Sequence, residues 1–133
     1  MTEQPSSRPL SPHLQVWKWT ITMAMSILHR ASGIALAIGT LMIVWMLVAA
    51  ASGQVAYDVF LRFSSSLLGQ IMLFGWTAAL YFHMCSGIRH LLMDAGYLLT
   101  IPQAEKAGKV IFIVAIAMTL ATWGVLKLTA GDV

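Results

Sequence analysis

The chain has 133 residues, of which 59% are hydrophobic and 10% are charged, and its mean hydropathy is +0.79. About a quarter of the residues of a soluble domain are charged, so this composition excludes an ordinary water-soluble domain. The net charge of +3 comes from basic residues spread along the chain, which argues against a nucleic-acid-binding patch. The single cysteine, Cys85, excludes an intramolecular disulfide and any site that needs several cysteines of this chain.

Residues 1–20 are predicted to be a cytoplasmic tail and an interfacial segment. The tail is polar to about Ser11, and a short helix that begins at Pro12 carries Trp17 and Trp19 at the depth of the membrane interface. The segment has no apolar core before Trp17, which is unlike a cleavable signal peptide, and it lacks the arginine-rich composition of a transit peptide.

Three long stretches of the chain contain no Asp, Glu, Lys or Arg: residues 31–57, 63–88 and 110–126. A helix needs roughly 20 apolar residues to cross the hydrocarbon core of a bilayer. We therefore predict an all-α membrane protein with a single membrane-anchor domain over residues 1–133. Its three transmembrane helices are expected at about 26–51, 66–95 and 108–130.

The basic residues lie mostly on one side of the predicted membrane. Six of the eight Lys and Arg residues belong to the N-terminal segment and the second loop, whereas the first loop and the C-terminal tail hold Arg62 and Lys127. By the positive-inside rule, the N-terminus faces the cytoplasm. We expect a multi-pass protein of a bacterial inner membrane, with the mitochondrial inner membrane as the alternative.

Polar side chains cluster at the start of the first predicted span. Ser26, His29 and Arg30 are three or four residues apart, so they share one helix face. Burying such groups in lipid is costly, and polar residues within spans usually have a function. The alternative is that His29 and Arg30 contact lipid headgroups, as cations at helix ends usually do.

The second predicted span ends with His83 and His90, which are nearly two helical turns apart and share a face. His83 lies about 1.5 turns deeper than Arg89, so its ring nitrogens need a hydrogen bond from a neighbouring helix, a metal ion or a haem iron. Asp94 follows His90 at i+4, and we expect it to pair with that histidine or with Arg30.

The two polar faces converge because the first two spans are antiparallel. A low-spin haem b needs axial imidazoles within the helical core and cationic or imidazole donors for its propionates. His83 fits the first role, and His29, Arg30 and His90 fit the second. A non-redox membrane scaffold or assembly protein, in which these residues only line the interface, is the alternative.

Three motifs of this chain carry a family resemblance: Arg8-Pro9-Leu10-Ser11-Pro12-His13-Leu14, Ser26-Ile27-Leu28-His29-Arg30-Ala31-Ser32-Gly33, and His83-x-x-x-Gly87-Ile88-Arg89-His90-Leu91-x-x-Asp94-x-Gly96-Tyr97. With them, the chain resembles the cytochrome b556 membrane-anchor subunits of succinate dehydrogenase, respiratory complex II, over nearly its whole length. The two longer motifs make the resemblance specific.

The resemblance implies a chain that is not catalytic alone. Together with a second small anchor subunit it would form a helical bundle that holds an FAD-containing flavoprotein subunit and an iron-sulfur subunit on the inner face of the membrane. Electrons from succinate would reach ubiquinone there. An anchor subunit of quinol:fumarate reductase, which works in the reverse direction, is the alternative within the same architecture.

The resemblance also implies roles for individual residues. His83 matches the axial ligand of the haem iron, and the second axial histidine is expected from the partner anchor subunit, so that the two chains share the haem b. Ligation by His29 and His83 within one chain is the alternative. His29, Arg30 and His90 match the neighbourhood of the haem propionates, and Ser26 and Arg30 match positions that line the quinone site.

Overall fold

The computed structural model describes residues 18–130. Within this range helices are the only regular secondary structure, and three of them are long and apolar enough to cross a membrane. The all-α fold and the three predicted spans are therefore confirmed. The helices are α1 (Ile21–Ser52), α2 (Gln54–Ser65), α3 (Leu67–Asp94) and α4 (Ile101–Ala130).

The predicted interfacial helix that begins at Pro12 falls almost wholly outside the described residues. The part that is described, from Lys18 to Thr20, is not helical. Thr20 instead caps α1, because its Oγ1 accepts a hydrogen bond from the Met23 N–H at 3.4 Å. This cap starts α1 at Ile21, five residues before the predicted start of the first span.

The segment between the first two spans is predicted to be a loop, but in the structure it forms helix α2. It follows Gly53, whose φ of +105° suits a residue without a side chain and separates it from α1. Phe60 is 7% exposed and packs its edge against Trp45, with ring centroids 5.2 Å apart. Ser66 then ends α2 and caps α3, since its Oγ accepts from the Gly69 N–H at 3.2 Å.

A Schellman motif ends α3. The Tyr97 N–H donates to the Leu92 carbonyl at 2.9 Å, the Gly96 N–H donates to the Met93 carbonyl at 3.0 Å, and Gly96 has a φ of +87°. Helix α4 begins at Ile101, about two turns earlier than predicted, with a proline in its first turn, where proline is tolerated. The charged residues of those two turns belong to the helix and not to a loop.

Helix α3 runs antiparallel to α1 and α4 and contacts both. Gly39 of α1 makes room for the Trp76 ring of α3, whose Nε1–H donates to the Leu36 carbonyl at 3.4 Å. On the other side, Phe82 meets Phe112 of α4 edge to face, with ring centroids 5.8 Å apart. These contacts bring the N-terminal half of α1 beside the C-terminal half of α3, where the polar motifs lie.

Most large apolar side chains of the described residues point away from the bundle, and few residues are buried. This distribution is typical of helices that face lipid or another membrane subunit. The buried apolar residues are Met25, Ala49, Phe60, Ala104 and Ala115.

Candidate functional site

Three histidines from two helices form one cluster, as the helical spacing predicts. The His29 ring of α1 stacks on the His83 ring of α3, with centroids 4.1 Å apart and planes 8° apart. The same ring lies 4.9 Å from that of His90 at an interplanar angle of 57°. His29 therefore fills the gap between the two histidines of α3 and is not simply an interfacial residue in contact with lipid headgroups.

The orientation of the His83 ring is fixed by α1. Its Nδ1 lies 3.2 Å from the His29 backbone carbonyl and 3.1 Å from the Ser32 hydroxyl oxygen. A carbonyl can only accept, so Nδ1 carries the proton and donates it, while the Ser32 hydroxyl donates to the same carbonyl at 2.8 Å. The His83 Nε2 then has a free lone pair, and it has no hydrogen-bond partner among residues 18–130.

Gly33 allows this close approach. A Cβ atom at this position would lie 3.1 Å from His83 Cε1, which is tighter than ordinary packing, and 3.6 Å from its Nδ1, which is an ordinary contact. Ser32 and Gly33 belong to one of the three sequence motifs, but their contact with His83 is visible only in the structure. Ser32 follows His29 by three residues, so the two side chains share one face of α1. This spacing indicates that a residue in contact with His29, here His83, also lies near the Ser32 hydroxyl.

The stacked rings also bear on the alternative of two iron ligands from this chain. The His29 and His83 rings are stacked face to face with centroids 4.1 Å apart, so they do not aim ring nitrogens at a shared point between them. In the part of the chain that the structure covers, no three His, Cys, Asp or Glu side chains are arranged to hold a metal ion by themselves.

His29 has an unsatisfied atom inside this cluster. Its Nδ1 is buried and has no hydrogen-bond partner within the described chain. A buried polar atom without a partner costs about 1–3 kcal/mol, so a partner from outside this chain would stabilise the arrangement.

Ser26 and Arg30 lie one turn apart on α1, beside the histidine cluster. Ser26 is half-buried and Arg30 is exposed. Neither side chain makes a hydrogen bond or an ion pair with residues 18–130. A hydroxyl and a guanidinium are therefore free to bind a ligand from outside the chain.

One expectation about a charged residue at this end of the bundle is wrong. Asp94 is exposed and pairs with neither His90 nor Arg30, because it lies in the last turn of α3, outside the packed cluster. Arg89 is 5% exposed, and its Nε has no partner among the described residues. Ser86, one turn deeper, is fully buried and its Oγ is likewise unpaired within that range.

An apolar cavity of about 430 Å³ lies between α1, α3 and α4 and reaches Ser32. Its walls include Leu28, Phe82 and Phe112, and its polar lining comes from the hydroxyl groups of Ser32 and Thr119. The volume is within the range of about 300–1,000 Å³ that small-molecule sites occupy. An apolar group that entered this cavity would therefore come close to Ser32, whose hydroxyl contacts His83.

Comparison with known proteins decides the family. Residues 4–122 match the model of the family described as succinate dehydrogenase/fumarate reductase transmembrane subunit. The chain belongs to this family. The resemblance read from the three motifs is thereby confirmed, and so is the prediction of a membrane subunit of an enzyme complex that is not catalytic alone.

Three relatives illustrate the breadth of this transmembrane subunit family. The chain is 40% identical to the succinate dehydrogenase cytochrome b556 subunit of Paracoccus denitrificans over 116 residues, which are 87% of this chain and 89% of the relative. It is 34% identical to the subunit of the same name from Rickettsia felis over 119 residues, 89% and 92% of the two chains. It is 39% identical to the mitochondrial succinate dehydrogenase cytochrome b560 subunit of Sus scrofa over 116 residues, 84% and 67% of the two chains.

Proposed function

We propose that this chain is the haem b-binding membrane-anchor subunit of a succinate:ubiquinone oxidoreductase and that it helps to form the ubiquinone-reduction site. The observation that carries the proposal is the restrained His83 ring, whose Nδ1–H is held by the His29 carbonyl and whose Nε2 is free. Metal-ligating histidines almost always donate their other ring N–H to a carboxylate, a carbonyl or water, which fixes the tautomer and the ring orientation.

The histidine cluster fits a haem better than a bare metal ion. His83 offers one nitrogen to an iron, and its stacking on His29 leaves the in-plane Nε2 unobstructed by that ring. When bound, a haem supplies one-electron transfer at a potential tuned by its ligands and surroundings. The face-to-face stacking of His29 on His83 supports the assignment that the family resemblance implies, in which the second axial histidine would come from the partner anchor subunit and the two chains would share the haem b.

The residues around His83 fit the propionate side of a haem. His29 Nδ1 needs a partner from outside the described chain, and a propionate oxygen would provide one. Arg30 is exposed and unpaired within the same range, and the His90 ring is 4.9 Å from that of His29. We therefore assign His29, Arg30 and His90 to the propionate neighbourhood.

Ser26 and Arg30 carry the proposed quinone role. Reduction of a quinone builds negative charge on its oxygens, and donors fixed in a medium of low dielectric stabilise such charge far better than water does. The Ser26 hydroxyl and the Arg30 guanidinium lie one turn apart and are free of partners among residues 18–130. Both can therefore donate to ubiquinone without first breaking an internal bond.

The proposal includes the rest of the complex. The exposed apolar surface of the three long helices supports contact with lipid and with a second anchor subunit. FAD and the iron-sulfur clusters belong to a flavoprotein subunit and an iron-sulfur subunit on the N-terminal, cytoplasmic side. The relatives cited above are named as succinate dehydrogenase subunits, which favours succinate oxidation over the fumarate reductase alternative.

The absorption spectrum of the purified complex tests this proposal. We expect dithionite to produce the α and Soret bands of a b-type haem, at one haem per FAD. The non-redox scaffold alternative predicts a complex without these bands. A complex that contains this chain and all partner subunits but lacks b-type absorbance would contradict the proposal.

A further inference from the structure

A second polar site lies at the end of the bundle opposite to the histidines. The last turn of α2, the first turns of α3 and the last turns of α4 enclose a cavity of about 440 Å³. Two basic side chains line it, Arg62 and Lys127, and no acidic residue lines it among residues 18–130. Because α1, α3 and α4 have the length and hydropathy of membrane spans, this end of the bundle lies at a membrane surface.

The Lys127 ammonium is held over the cavity by the neighbouring helix. Its Nζ donates to the Gln70 Oε1 at 3.3 Å, and the Gln70 Nε2 donates in turn to the Ser65 backbone carbonyl at 3.0 Å. A lysine ammonium has three donor hydrogens, so two remain for a ligand. The residues that orient Lys127 are uncharged, and its positive charge is therefore not neutralised by this contact.

Arg62 is the second cation, and its guanidinium is also available. It is exposed and has no hydrogen bond or ion pair within residues 18–130. Asp58 precedes it by one turn on α2, but the Asp58 Oδ1 accepts from the Gln54 Nε2 at 2.9 Å and forms no ion pair with Arg62. Two positive charges therefore face one cavity without an acidic partner in the described chain.

Part of the remaining wall is suited to hydrocarbon, although Ser64, Ser65 and Gln70 also line the cavity. Leu61, Leu73 and Leu126 line the cavity together with Trp123, whose ring packs edge to face on Phe74 with centroids 5.5 Å apart. Tryptophan is enriched at the interface between hydrocarbon and headgroups. The cavity thus combines a cationic rim with an apolar wall, which matches a ligand that joins a phosphate to acyl chains.

We propose that this cavity binds the phosphodiester headgroup of an anionic glycerophospholipid, with Arg62 and Lys127 as its phosphate ligands. Two cations with no acidic residue beside them in the described part of the lining favour a headgroup of net negative charge over a zwitterionic one, whose ammonium they would repel. The proposal requires only that the chain spans a membrane, so it is independent of the haem and quinone roles proposed above.

The expected effect follows from the charge of the site. A basic side chain at a membrane surface contributes about 1 kcal/mol to the binding of anionic lipid. Removing one of the two cations should therefore weaken binding about fivefold, and removing both should weaken it about 30-fold.

The test uses the intact complex that contains this chain, purified in detergent and stripped of lipid. Native mass spectrometry measures its binding of dioleoylphosphatidylglycerol and of dioleoylphosphatidylcholine, with inorganic phosphate as a competitor. The variants are Arg62→Gln, Lys127→Gln and the pair together. Lys109→Gln is the matched control, because Lys109 is an exposed cation near the start of α4, at the histidine end of the bundle. Both cavity residues are exposed, and recovery of the whole complex checks that the variants fold.

We expect the wild-type complex and Lys109→Gln to bind phosphatidylglycerol equally and in preference to phosphatidylcholine, and the double variant to lose about 30-fold in affinity. The pair Arg62→Lys and Lys127→Arg, which keeps both charges, should retain binding. Equal affinity for the two lipids, or no loss in the double variant, would overturn the proposal. Displacement of the lipid by inorganic phosphate would assign the cavity to free phosphate and would also overturn it.

Discussion

Gly33→Ala tests whether the surface of α1 orients the proposed haem ligand. The added methyl group would lie 3.1 Å from His83 Cε1. Two carbon atoms prefer a separation of about 3.5–4.0 Å, so the ring has to move away from α1 by about 0.4–0.9 Å. The His29 carbonyl and the Ser32 hydroxyl are both on α1, at 3.2 and 3.1 Å from Nδ1. A shift directly away from these two oxygens would lengthen the distances to about 3.5–4.1 Å, beyond the normal range for hydrogen bonds of this type.

The effect of losing this restraint on haem affinity can be calculated. A typical hydrogen bond contributes about 0.5–1.5 kcal/mol net, so the affinity of the complex for haem should fall by about 2-fold to 13-fold. The change in ring position should also shift the electron paramagnetic resonance signal of the oxidised low-spin iron. Haem retention during purification and this signal are the two measurements.

Gly75→Ala is the control for Gly33→Ala. A Cβ atom at Gly75, on the same helix as His83, would meet nothing within 4 Å, and alanine is favoured over glycine in a helix by about 1 kcal/mol. We expect this variant to keep its haem and its spectrum. If Gly33→Ala binds haem as tightly as Gly75→Ala and its iron signal does not move, the reasoning that α1 orients His83 is refuted.

Two further predictions concern the quinone and the packing of α1 on α3. Arg30→Leu should lower succinate–ubiquinone turnover at least about tenfold, because a charged hydrogen bond to the quinone is lost, but it should not lower electron transfer to a water-soluble dye. Equal losses in the two assays, or an equal effect of Lys109→Leu, would contradict the quinone role. Gly39→Ala should reduce the yield of assembled complex because its Cβ atom would overlap the Trp76 ring, whereas the Cβ atom of the control Gly75→Ala would meet nothing within 4 Å. Equal yields in membrane extracts would show that this contact does not hold the helices together.

The spans and the histidine cluster could be predicted because each depends on a periodic or local property of the sequence. Long uncharged stretches determine the membrane helices, and spacings of three, four and seven residues determine which polar side chains share a face. Once α1 and α3 are antiparallel neighbours, His29 and His83 have to meet. The roles assigned to them, and the extent of the domain, stay predictions.

Other features depend on tertiary packing, which the sequence does not display. Helix α2 has no long apolar run, so the sequence predicts a loop there. Its position depends on the contact of Phe60 with Trp45, which is a tertiary contact. Asp94 lies four residues after His90, a spacing that permits an ion pair. The spacing alone does not show that the carboxylate of Asp94, in the final turn of α3, is exposed to solvent and unpaired within residues 18–130.

Haem content and ligation in a His83→Tyr complex test the central claim most directly, with His90→Tyr as the matched variant seven residues further along the same helix. We predict that His83→Tyr inserts normally, since the apolar spans are unchanged, but loses haem or converts its iron from low spin to high spin. His90→Tyr should keep a low-spin iron. Unchanged α and Soret bands in the dithionite-reduced His83→Tyr complex would contradict the assignment of His83 as the axial ligand.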